Sequence, residues 1–326
     1  MFKTKRRRLR CVFRLFMAGA LLFSPISFAS PLAPDSPRLV HATCPTTSAA
    51  DASMLKAWLQ KLSDSLHAEI GVAFRDLHTG RELFFNEKIL MHAASTMKVP
   101  VMIEVFRQSE AGKFRLDDSL LVKNEFASIV DGSPYALDLD DDSDELFYMA
   151  MDRKAAIRDL VEAMITVSSN LATNLLIELI QAQNVMATLA QLGVHNMKVL
   201  RGVEDGKAYE AGLNNRTDAH DLMLTLEALV QNRAASPASC RTMIEILKRQ
   251  KFRENIPAGL PPEVIVGNKT GSITAIDHDA ALLFPPNRKP CLLVVLTRGI
   301  EDHEQAQHTI AAIARQLYEA FVLKRN

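Results

Sequence analysis

Apolar residues along this chain repeat at helical spacing near both ends and through the middle, and at strand spacing in two regions between them. An amphipathic helix is predicted over residues 52–67, where the apolar positions are Met54, Leu55, Trp58, Leu59, Leu62 and Leu66. From Ser95 to Leu229 the pattern is mostly helical. A final helix is predicted from the inner face formed by Ala306, Ile310, Ile313, Leu317 and Phe321.

Strands are predicted in the two regions between these helices. Glu69–Leu77 and Arg81–Phe85 flank a short turn and predict a hairpin. Three more strands are predicted at Glu263–Lys269, Ala280–Phe284 and Cys291–Thr297. The order of helix, two strands, helical block, three strands and helix predicts an α+β fold. Its simplest packing is one five-stranded antiparallel sheet flanked on one face by the N- and C-terminal helices, beside an all-helical lobe.

Residues 1–29 have the features of a cleaved secretory signal peptide. They contain seven basic residues and no acidic residue, and an apolar stretch follows from Met17 to Phe28. Ser27 and Ala29 are small residues at the spacing that a signal peptidase needs. The stretch is too short to span a membrane, so no integral membrane segment is expected after cleavage. The sequence therefore predicts a periplasmic or secreted protein.

The remainder of the chain divides into a lead-in and one domain. Residues 30–50 are rich in Pro, Ser, Thr and Ala, and are predicted to be a flexible lead-in. Residues 51–326 are predicted to form the domain. Its sheet lobe is expected at about 51–94 and 260–326, and its helical lobe at about 95–259. No coiled-coil or repeat pattern suggests an assembly, so we expect a monomer.

Charge and cysteine content exclude some classes of function. The chain has a formal net charge of zero, but the seven basic residues of the signal leave residues 30–326 with a charge of −7. Such an acidic protein is a poor binder of nucleic acid. Cys44, Cys240 and Cys291 remain after cleavage and show no CxxC spacing, and the nine histidines show no HxH or HExxH spacing. We therefore expect no metal and no cofactor.

Ser95 and Lys98 are the first candidates for chemistry. Ser95 precedes an apolar run with helical spacing, and Lys98 follows it by three residues, so at the start of a helix both side chains lie on one face. A serine hydroxyl is a weak nucleophile unless a neighbouring base takes its proton. A lysine amine can be that base where burial or nearby positive charge lowers its pKa.

Two further motifs follow this pair. Ser168-Ser169-Asn170 lies between two predicted helices, and Lys269-Thr270-Gly271 ends the first of the three C-terminal strands. The order SxxK, SxN and KTG is the motif set of class A β-lactamases and penicillin-binding proteins. From about residue 52 to the C-terminus the chain resembles this superfamily, and it resembles the class A branch most closely.

The resemblance implies a role for the residues of the first two motifs. Ser95 is expected to be the acyl-accepting nucleophile, and Lys98 to take or relay its proton. Ser168 is expected to pass a proton to the leaving nitrogen, and Asn170 to hydrogen-bond the substrate amide. The family usually has aspartate in the middle of this motif. Because position 169 is serine here, we expect the loss of packing hydrogen bonds but not of chemistry.

The third motif is implied to bind substrate. Lys269 is expected to hold positive charge near the substrate carboxylate, and Thr270 to add a hydroxyl to it. The oxyanion hole is expected to consist of the backbone N–H groups of Ser95 and of Ser272, which follows Gly271. A β-lactam or a peptidoglycan-like D-Ala-D-Ala peptide is then expected to lie along this strand as an extra edge.

The resemblance also requires a glutamate that activates the deacylating water, and two residues are candidates. The family pattern Glu-x-x-Leu-Asn matches at Glu210, with Leu213 and Asn214 at the required spacing. An arginine often precedes the family's glutamate, and Arg201 precedes Glu204 instead. We expect Glu210 to be the base and keep two alternatives, that the base is Glu204 or that neither glutamate has this role. Arg201 is expected to pair with Asp218 and close the loop.

Three other features lie outside these motifs. The acidic stretch Asp138–Glu145 lacks the spacing of an EF-hand, so a solvated loop is expected rather than a Ca²⁺ site. Tyr135 is expected to place an aromatic ring at the rim of the cleft. Arg298, at the end of the last strand, is a further candidate for contact with the substrate carboxylate.

Together these observations predict an exported, metal-independent serine β-lactamase that acts through an acyl-enzyme on Ser95. A D,D-peptidase or penicillin-binding protein with slow deacylation stays open as an alternative, because the deacylating glutamate is uncertain. A non-catalytic β-lactam-sensing domain and a serine esterase or amidase on the same fold also stay open.

Overall fold

The computed structural model describes residues 49–323. The predicted signal peptide lies outside the described residues, as does the lead-in apart from Ala49 and Ala50, which begin the first helix. The nine α-helices of the described range are α1 Ala49–Leu66, α2 Lys98–Glu110, α3 Ile157–Thr166, α4 Asn170–Ile180, α5 Ala182–Gln191, α6 Gly206–Glu210, α7 Ala219–Val230, α8 Pro237–Lys248 and α9 His303–Tyr318. No helix within residues 49–323 combines the length and apolar character that a membrane crossing requires.

The strands form one large sheet and three small ones. In chain order they are β1 Glu69–Asp76, β2 Glu82–Phe85, β3 Met91–His92, β4 Ser119–Leu121, β5 Phe126–Ala127, β6 Pro134–Tyr135, β7 Lys154–Ala156, β8 Arg216–Thr217, β9 Ile265–Ile273, β10 Ile276–Phe284 and β11 Cys291–Arg298. The large sheet has the order β2-β1-β11-β10-β9, and all its neighbours are antiparallel. The predicted α+β fold with a five-stranded antiparallel sheet is therefore confirmed, and β9 is an edge strand.

The sheet separates two hydrophobic cores. Alternate residues of β11 point to opposite faces, as in any strand. Leu292 and Val294 join the core of the helical lobe, whereas Leu293 and Val295 join the core beneath α1 and α9. Because both faces are covered, β11 is buried from Cys291 to Thr297. The first and last helices cover one face of the sheet, as predicted.

Two strands extend beyond their predicted ends. β9 continues four residues past Lys269 to Ile273, and β10 begins at Ile276, four residues before its predicted start. The sequence concealed this extension because β10 opens with Asp277, His278 and Asp279, which look like a polar loop but are buried and paired with β9. The Lys-Thr-Gly motif therefore lies within a strand and not at its end.

The structure also defines the start of α7 and the state of two cysteines. Asp218 is the N-cap of α7, because its Oδ1 accepts a 2.7 Å hydrogen bond from the backbone N–H of Asp221. Cys291 is a fully buried core residue, and both Cys291 and Cys240 are free thiols.

Candidate active site

Ser95 lies in a short 3₁₀ turn, Ala94–Met97, that leads directly into α2. Ala94 adopts φ +44°, and its backbone N–H donates to Nδ1 of His92 at 3.0 Å. The hydroxyl of Thr96 donates to the carbonyl of Ala93 at 2.6 Å. Thr96 and Met97 are fully buried, whereas Ser95 is partly exposed. The turn therefore anchors its other residues and presents the serine to solvent.

Lys98 connects the first motif to the second. Its side chain is fully buried, and Nζ donates to the Ser168 carbonyl at 2.6 Å, to Ser168 Oγ at 3.2 Å and to Asn170 Oδ1 at 2.8 Å. In the described part of the chain these three acceptors, and not the hydroxyl of Ser95, are the hydrogen-bond partners of Nζ. Burial lowers the pKa of Lys98 to about 7, against the opposing charges of Asp142 and Glu204.

Ser168 is held between two lysine amines. It adopts φ +60° in the turn between α3 and α4, a conformation that is uncommon for a residue with a side chain. Its Oγ accepts hydrogen bonds from Lys98 Nζ at 3.2 Å and from Lys269 Nζ at 3.0 Å. A hydroxyl has two lone pairs and one proton, so it can accept from one amine while donating to the other when that amine is neutral. The arrangement provides a route for a proton.

Lys269 is buried on β9, and its electrostatic surroundings are unusual. Its Nζ also donates to the carbonyl of Thr270 at 2.8 Å. Burial, followed by the charge of Lys98, holds the pKa of Lys269 well below its usual value. The nearby carboxylate of Asp279 is itself buried, and burial raises the pKa of Asp279 to about 6. Two buried amines that contact the same hydroxyl are unfavourable when both are protonated. A proton can therefore pass between Lys98 and Lys269 through Ser168 Oγ.

Gly271 sits where β9 meets the turn that carries Ser95. A Cβ atom added at Gly271 would lie 2.9 Å from the backbone nitrogen of Ser95 and 3.1 Å from Cβ of Ala94. Real Cβ atoms do not approach backbone this closely, so the contact requires glycine. The contact brings the edge strand, and with it Thr270 and Ser272, against the backbone N–H of Ser95.

Ser272 is exposed on this edge, and its side chain faces a pair that the sequence did not suggest. Ser272 Oγ lies 3.3 Å from Nδ1 of His303, and the same Nδ1 lies 2.7 Å from Oδ2 of Asp277. Asp277 is opposite Ser272 in the β9–β10 pairing, and His303 is the first residue of α9. The pair was missed because its members come from two elements that are distant in sequence.

Ser169 and Asn170 lie at the start of α4, where one caps the helix and the other binds two ionisable side chains. Ser169 is the N-cap, and its Oγ accepts from the backbone N–H of Ala172 at 3.2 Å. The side chain of Asn170 bridges two ionisable groups, because its Oδ1 accepts from Lys98 Nζ and its Nδ2 donates to Glu204 Oε1 at 2.7 Å. The missing aspartate therefore does not leave the helix uncapped.

The structure brings Glu204, and not Glu210, to this cluster. Glu204 is half-buried at φ +60°, and its Oε2 accepts from the backbone N–H of Asp138 at 3.2 Å. Burial raises the pKa of the Glu204 carboxyl above its usual range. Glu210 is the exposed last residue of α6 and, within the described residues, has no hydrogen bond to the motif residues. The preference for Glu210 is therefore not supported by the geometry.

The spacing match at Glu210 has another explanation. Asn214 and Leu213, the last two residues of that match, bind Arg201: Nη2 donates to Asn214 Oδ1 at 2.9 Å, and Nε to the Leu213 carbonyl at 3.0 Å. These contacts close the loop. The backbone N–H of Val203 donates to Asn174 Oδ1 at 2.7 Å, and the next residue, Glu204, reaches Asn170. The expected pairing of Arg201 with Asp218 is wrong, because the Asp218 carboxylate accepts from Asn196 and Asp221.

The acidic stretch Asp138–Glu145 is solvated only in part. Asp138, Asp140, Asp141, Ser143 and Glu145 are exposed, but Asp144 is buried. Asp142 is half-buried and accepts hydrogen bonds from the first backbone N–H groups of α4. The stretch lies against the candidate site, which the expectation of a solvated loop did not include.

Two other expected contacts have different partners. The hydroxyl of Tyr135 accepts from Nδ2 of Asn174 at 3.3 Å and lies 3.4 Å from the carbonyl of Val203, so it supports the loop that carries Glu204. Arg298 forms an ion pair with Glu69 across the sheet. It is therefore engaged away from the lysine pair.

The described residues contain one group of three side chains that could hold a metal ion, at Asp218, His220 and Asp221. Its carboxylates already have structural partners. Oδ2 of Asp221 accepts three backbone N–H groups at 2.6 to 2.9 Å, and Asp218 caps α7. The group therefore serves the start of that helix.

Sequence comparison finds relatives over most of the chain. A family model described as the Beta-lactamase enzyme family matches residues 54–321. A β-lactamase from Streptomyces albus G is 26% identical over 83% of this chain and 85% of its own length. β-Lactamase Toho-1 from Escherichia coli is 24% identical over 83% of this chain and 91% of its own length.

Solved structures show the same fold. An ancestral class A β-lactamase superimposes with a TM-score of 0.71 at 27% identity, covering 82% of this chain and 100% of that one. The protein PBP-A superimposes with a TM-score of 0.71 at 24% identity, covering 83% of this chain and 97% of that one. Since a family model covers most of the described residues and the motif residues converge at one cleft edge, the chain belongs to the β-lactamase enzyme family, with the fold of its class A members.

Proposed function

We propose that this protein is an exported serine β-lactamase that forms an acyl-enzyme on Ser95 and hydrolyses it with a water activated by Glu204. The observation that carries the proposal is the bridge formed by the Asn170 side chain between Lys98 Nζ, at 2.8 Å, and Glu204 Oε1, at 2.7 Å. Two groups able to accept a proton, an amine and a carboxylate, therefore share one amide. One is suited to acylation and the other to deacylation. Export rests on the sequence of residues 1–29.

Acylation follows from the state of Lys98. An amine with a pKa of about 7 is half neutral near neutral pH, and only the neutral amine takes a proton. As Ser95 Oγ attacks the β-lactam carbonyl, its proton passes to Lys98. The hydroxyl of Ser168, which contacts both lysine amines, returns a proton to the ring nitrogen when the amide bond breaks. The product of this half-reaction is an ester on Ser95.

Groups along the edge strand β9 are assigned to the two negatively charged parts of the reacting substrate, the developing oxyanion and the carboxylate. The carbonyl oxygen that becomes negative during attack is placed near the backbone N–H groups of Ser95 and Ser272, on either side of the Gly271 contact. Lys269 and the hydroxyl of Thr270 face the substrate carboxylate. We assign Asn170 Nδ2 to the substrate's side-chain amide, which then replaces the 3.3 Å bond from Nδ2 to the Asp141 carbonyl.

Deacylation is assigned to Glu204. Its carboxyl is half-buried, and burial raises its pKa, which makes the carboxylate a stronger base toward water. The water that loses its proton to Glu204 attacks the carbonyl of the Ser95 ester. As the ester bond breaks, the proton passes from Glu204 back to Ser95 Oγ through the Asn170–Lys98 cluster, and the ring-opened product leaves. Glu210 is exposed and is not assigned a role.

A second candidate is an enzyme that acylates in the same way but deacylates slowly, such as a D,D-peptidase. One observation favours it: both carboxylate oxygens of Glu204 already accept hydrogen bonds, from Asn170 and from the backbone of Asp138. A water must compete for this carboxylate. PBP-A, which has the same fold, has been solved as a variant acyl-enzyme complex with penicillin G.

The test compares three variants with the parent protein. Each is mixed with a chromogenic cephalosporin, ring opening is followed, and the protein is then weighed by mass spectrometry. We expect sustained turnover by the parent and no adduct on Ser95→Ala. Glu204→Gln should accumulate the acyl adduct, with deacylation slowed at least about 100-fold. The matched control, Glu210→Gln, should stay within about twofold of the parent.

The outcomes separate the candidates. A single stoichiometric burst in the parent, with a stable adduct, would establish the slow-deacylating enzyme. Trapping of the adduct by Glu210→Gln and not by Glu204→Gln would reverse the assignment of the base. A parent with neither ring opening nor adduct would leave an esterase or amidase on the same fold.

A further inference from the structure

We propose that Asp142 is a positioning residue of the active site. Its carboxylate fixes the backbone of Asn170, so that the Asn170 side chain can bind both Lys98 and Glu204. The carboxylate is supplied by the acidic stretch Asp138–Glu145, which is distant from all three catalytic motifs in sequence. The inference rests on the proposed function only in assigning Asn170 to the site.

The contacts of Asp142 are specific to the start of α4. Its Oδ1 and Oδ2 accept from the backbone N–H of Asn170 at 3.0 and 2.9 Å, and Oδ2 also accepts from the N–H of Leu171 at 2.9 Å. The first N–H groups of a helix have no partner inside the helix, and a negative charge there is favourable. Asp142 therefore satisfies two donors that would otherwise face the cleft.

The N-cap residue does not perform this task. The Oγ of Ser169 accepts from the N–H of Ala172, further along the helix. The first two N–H groups of α4 consequently depend on Asp142. The acceptor, Asp142, lies in a segment that precedes α3 and is not adjacent to α4 in sequence. The orientation of residue 170 is therefore determined by a tertiary contact and not by the local motif.

The location of Asn170 gives this anchor a functional consequence. Its side-chain oxygen accepts from Lys98, and its side-chain nitrogen donates to Glu204 and, at 3.3 Å, to the carbonyl of Asp141. The backbone of the same residue is fixed by Asp142. A rotation of the backbone would break the bridge to the base of each half-reaction. Errors of about 1 Å in such a site cost about 100-fold in rate.

The rest of the acidic stretch supports the same arrangement. The backbone N–H of Asp138 donates to Glu204, and the N–H of Asp144 donates to Oδ1 of Asp142 at 3.2 Å. Asp142 is thus oriented by its own segment before it reaches the helix. Three of its residues, Asp138, Asp141 and Asp142, contact Asn170 or Glu204 and are a structural part of the site.

The charge of Asp142 acts on the same groups. Lys98 is faced by Lys269, Glu204 and Asp142, and the last two carboxylates raise its pKa against the effect of burial. Glu204 is faced by Asp141 and Asp142, both of which raise its pKa. Replacement of Asp142 by a neutral residue therefore moves the pH dependence of both half-reactions toward lower pH.

The experiment uses the full chain, with Asp142→Ala, Asp142→Asn and the matched control Asp140→Ala. Asp140 belongs to the same stretch, but its carboxylate is exposed and makes no hydrogen bond to the site within the described residues. Each protein also carries Glu204→Gln, so that deacylation is slow and the burst amplitude counts active molecules. Pre-steady-state mixing with penicillin G then gives this amplitude and the acylation rate constant, which reports the geometry of the site.

We expect Asp142→Ala to lower the acylation rate constant at least about tenfold while the burst amplitude stays near that of the parent. Asp142→Asn retains one acceptor and should recover part of the rate, with the pH profile displaced toward lower pH. Asp140→Ala should be unchanged. A fall in amplitude with an unaltered rate constant would indicate a purely structural role and overturn the proposal.

A second measurement does not depend on turnover. The side-chain amide resonances of Asn170, assigned by NMR, should move in Asp142→Ala and stay in place in Asp140→Ala. Equal resonances in the parent and in Asp142→Ala would overturn the proposal. If the parent forms no adduct with any β-lactam, the function proposed above fails, and these resonances still decide the role of Asp142.

Discussion

At the scale of single residues, burial determines the chemistry of this site more than residue identity does. Lys98 and Lys269 are fully buried and face one serine hydroxyl. The desolvation of each ammonium group favours the neutral amine, and the charge of Lys98 adds to this effect at Lys269. A lysine on the surface would stay protonated near neutral pH and could not act as a base.

This state of Lys98 predicts a pH dependence for acylation. Its pKa is lowered to about 7, so the neutral amine increases as the pH rises through that value. The acylation rate constant should therefore rise about tenfold between about pH 6 and about pH 8. Rapid mixing with a chromogenic cephalosporin across this range measures it.

Lys98→Arg is the control for this experiment, because a guanidinium does not lose its proton in this range. The variant keeps a positive charge and should lose acylation at every pH. A parent rate constant that stays flat from about pH 6 to about pH 8 would contradict a lysine base with this pKa.

For the two glutamates, the sequence spacing and the tertiary environment favour different residues. Glu210 has the family spacing to Leu213 and Asn214, yet it is exposed at the end of α6. Glu204 lacks that spacing but is half-buried and bound to Asn170. The spacing describes neighbours in sequence, whereas the environment of a carboxylate depends on how the loop closes. Here Arg201 closes it by binding Asn214.

At the scale of elements, the site depends on how closely the edge strand approaches the turn that carries the nucleophile. β9 packs against the turn Ala94–Met97 through Gly271. The third residue of the Lys-Thr-Gly motif is thus a spacing element. It has no side chain because none fits between two segments of backbone.

Gly271→Ala should therefore impair acylation without unfolding the protein. The added methyl would lie 2.9 Å from the Ser95 nitrogen, so β9 and the turn must separate. We expect kcat/KM to fall about 100-fold, with loss in kcat rather than in KM alone, because the backbone N–H groups at the attack site move apart. Steady-state kinetics with a chromogenic cephalosporin provides the measurement.

Gly206→Ala is the matched control. A Cβ atom at Gly206 meets no heavy atom within 4 Å, and the residue begins a short helix away from β9. Its activity should stay within about twofold of the parent. Equal activity of Gly271→Ala and the parent would show that the two elements separate at no cost to the chemistry.

At the scale of the whole molecule, one sheet is shared by two cores. Residues of β11 alternate between the core of the helical lobe and the core beneath α1 and α9. If the strands separate on unfolding, apolar side chains on both faces of the sheet are exposed to water, so both cores are lost. The two layers are therefore expected to unfold together.

This prediction can be tested with two probes that report on different layers. Trp58, on α1, is the single tryptophan of the chain, and it packs against the core beneath α1 and α9. Far-ultraviolet circular dichroism is dominated by the helices of the other layer. Thermal unfolding followed by tryptophan fluorescence and by circular dichroism should give midpoints that agree within about 2 °C.

Ile313→Ala sharpens the test. Ile313 is fully buried in the core beneath α1 and α9. Its truncation should lower the free energy of unfolding by about 2 to 5 kcal/mol and lower both midpoints equally. Met54→Ala, on the exposed side of α1, is the control and should change neither. If only the fluorescence midpoint fell in Ile313→Ala, the layers would be independent units.

Much of the architecture was predictable from the sequence because it depends on local periodicity. The amphipathic helices at both ends, the hairpin of β1 and β2, and the five-stranded antiparallel sheet follow from the spacing of apolar residues and from the order of elements. The three motifs were visible because each consists of neighbours in the chain. Family membership follows from those motifs together with the element order.

What only the tertiary structure decided are the contacts between segments that are distant in sequence. The length of β9 was hidden because Asp277, His278 and Asp279 are polar residues buried by pairing and not by hydrophobicity. The acidic stretch looked solvated because nothing local shows that α4 lies beneath Asp142. The preference for Glu204 over Glu210 proposed above likewise rests on a loop that Arg201 closes. Periodicity reports which face of an element is buried, but partner, protonation state and distance arise only when the elements pack.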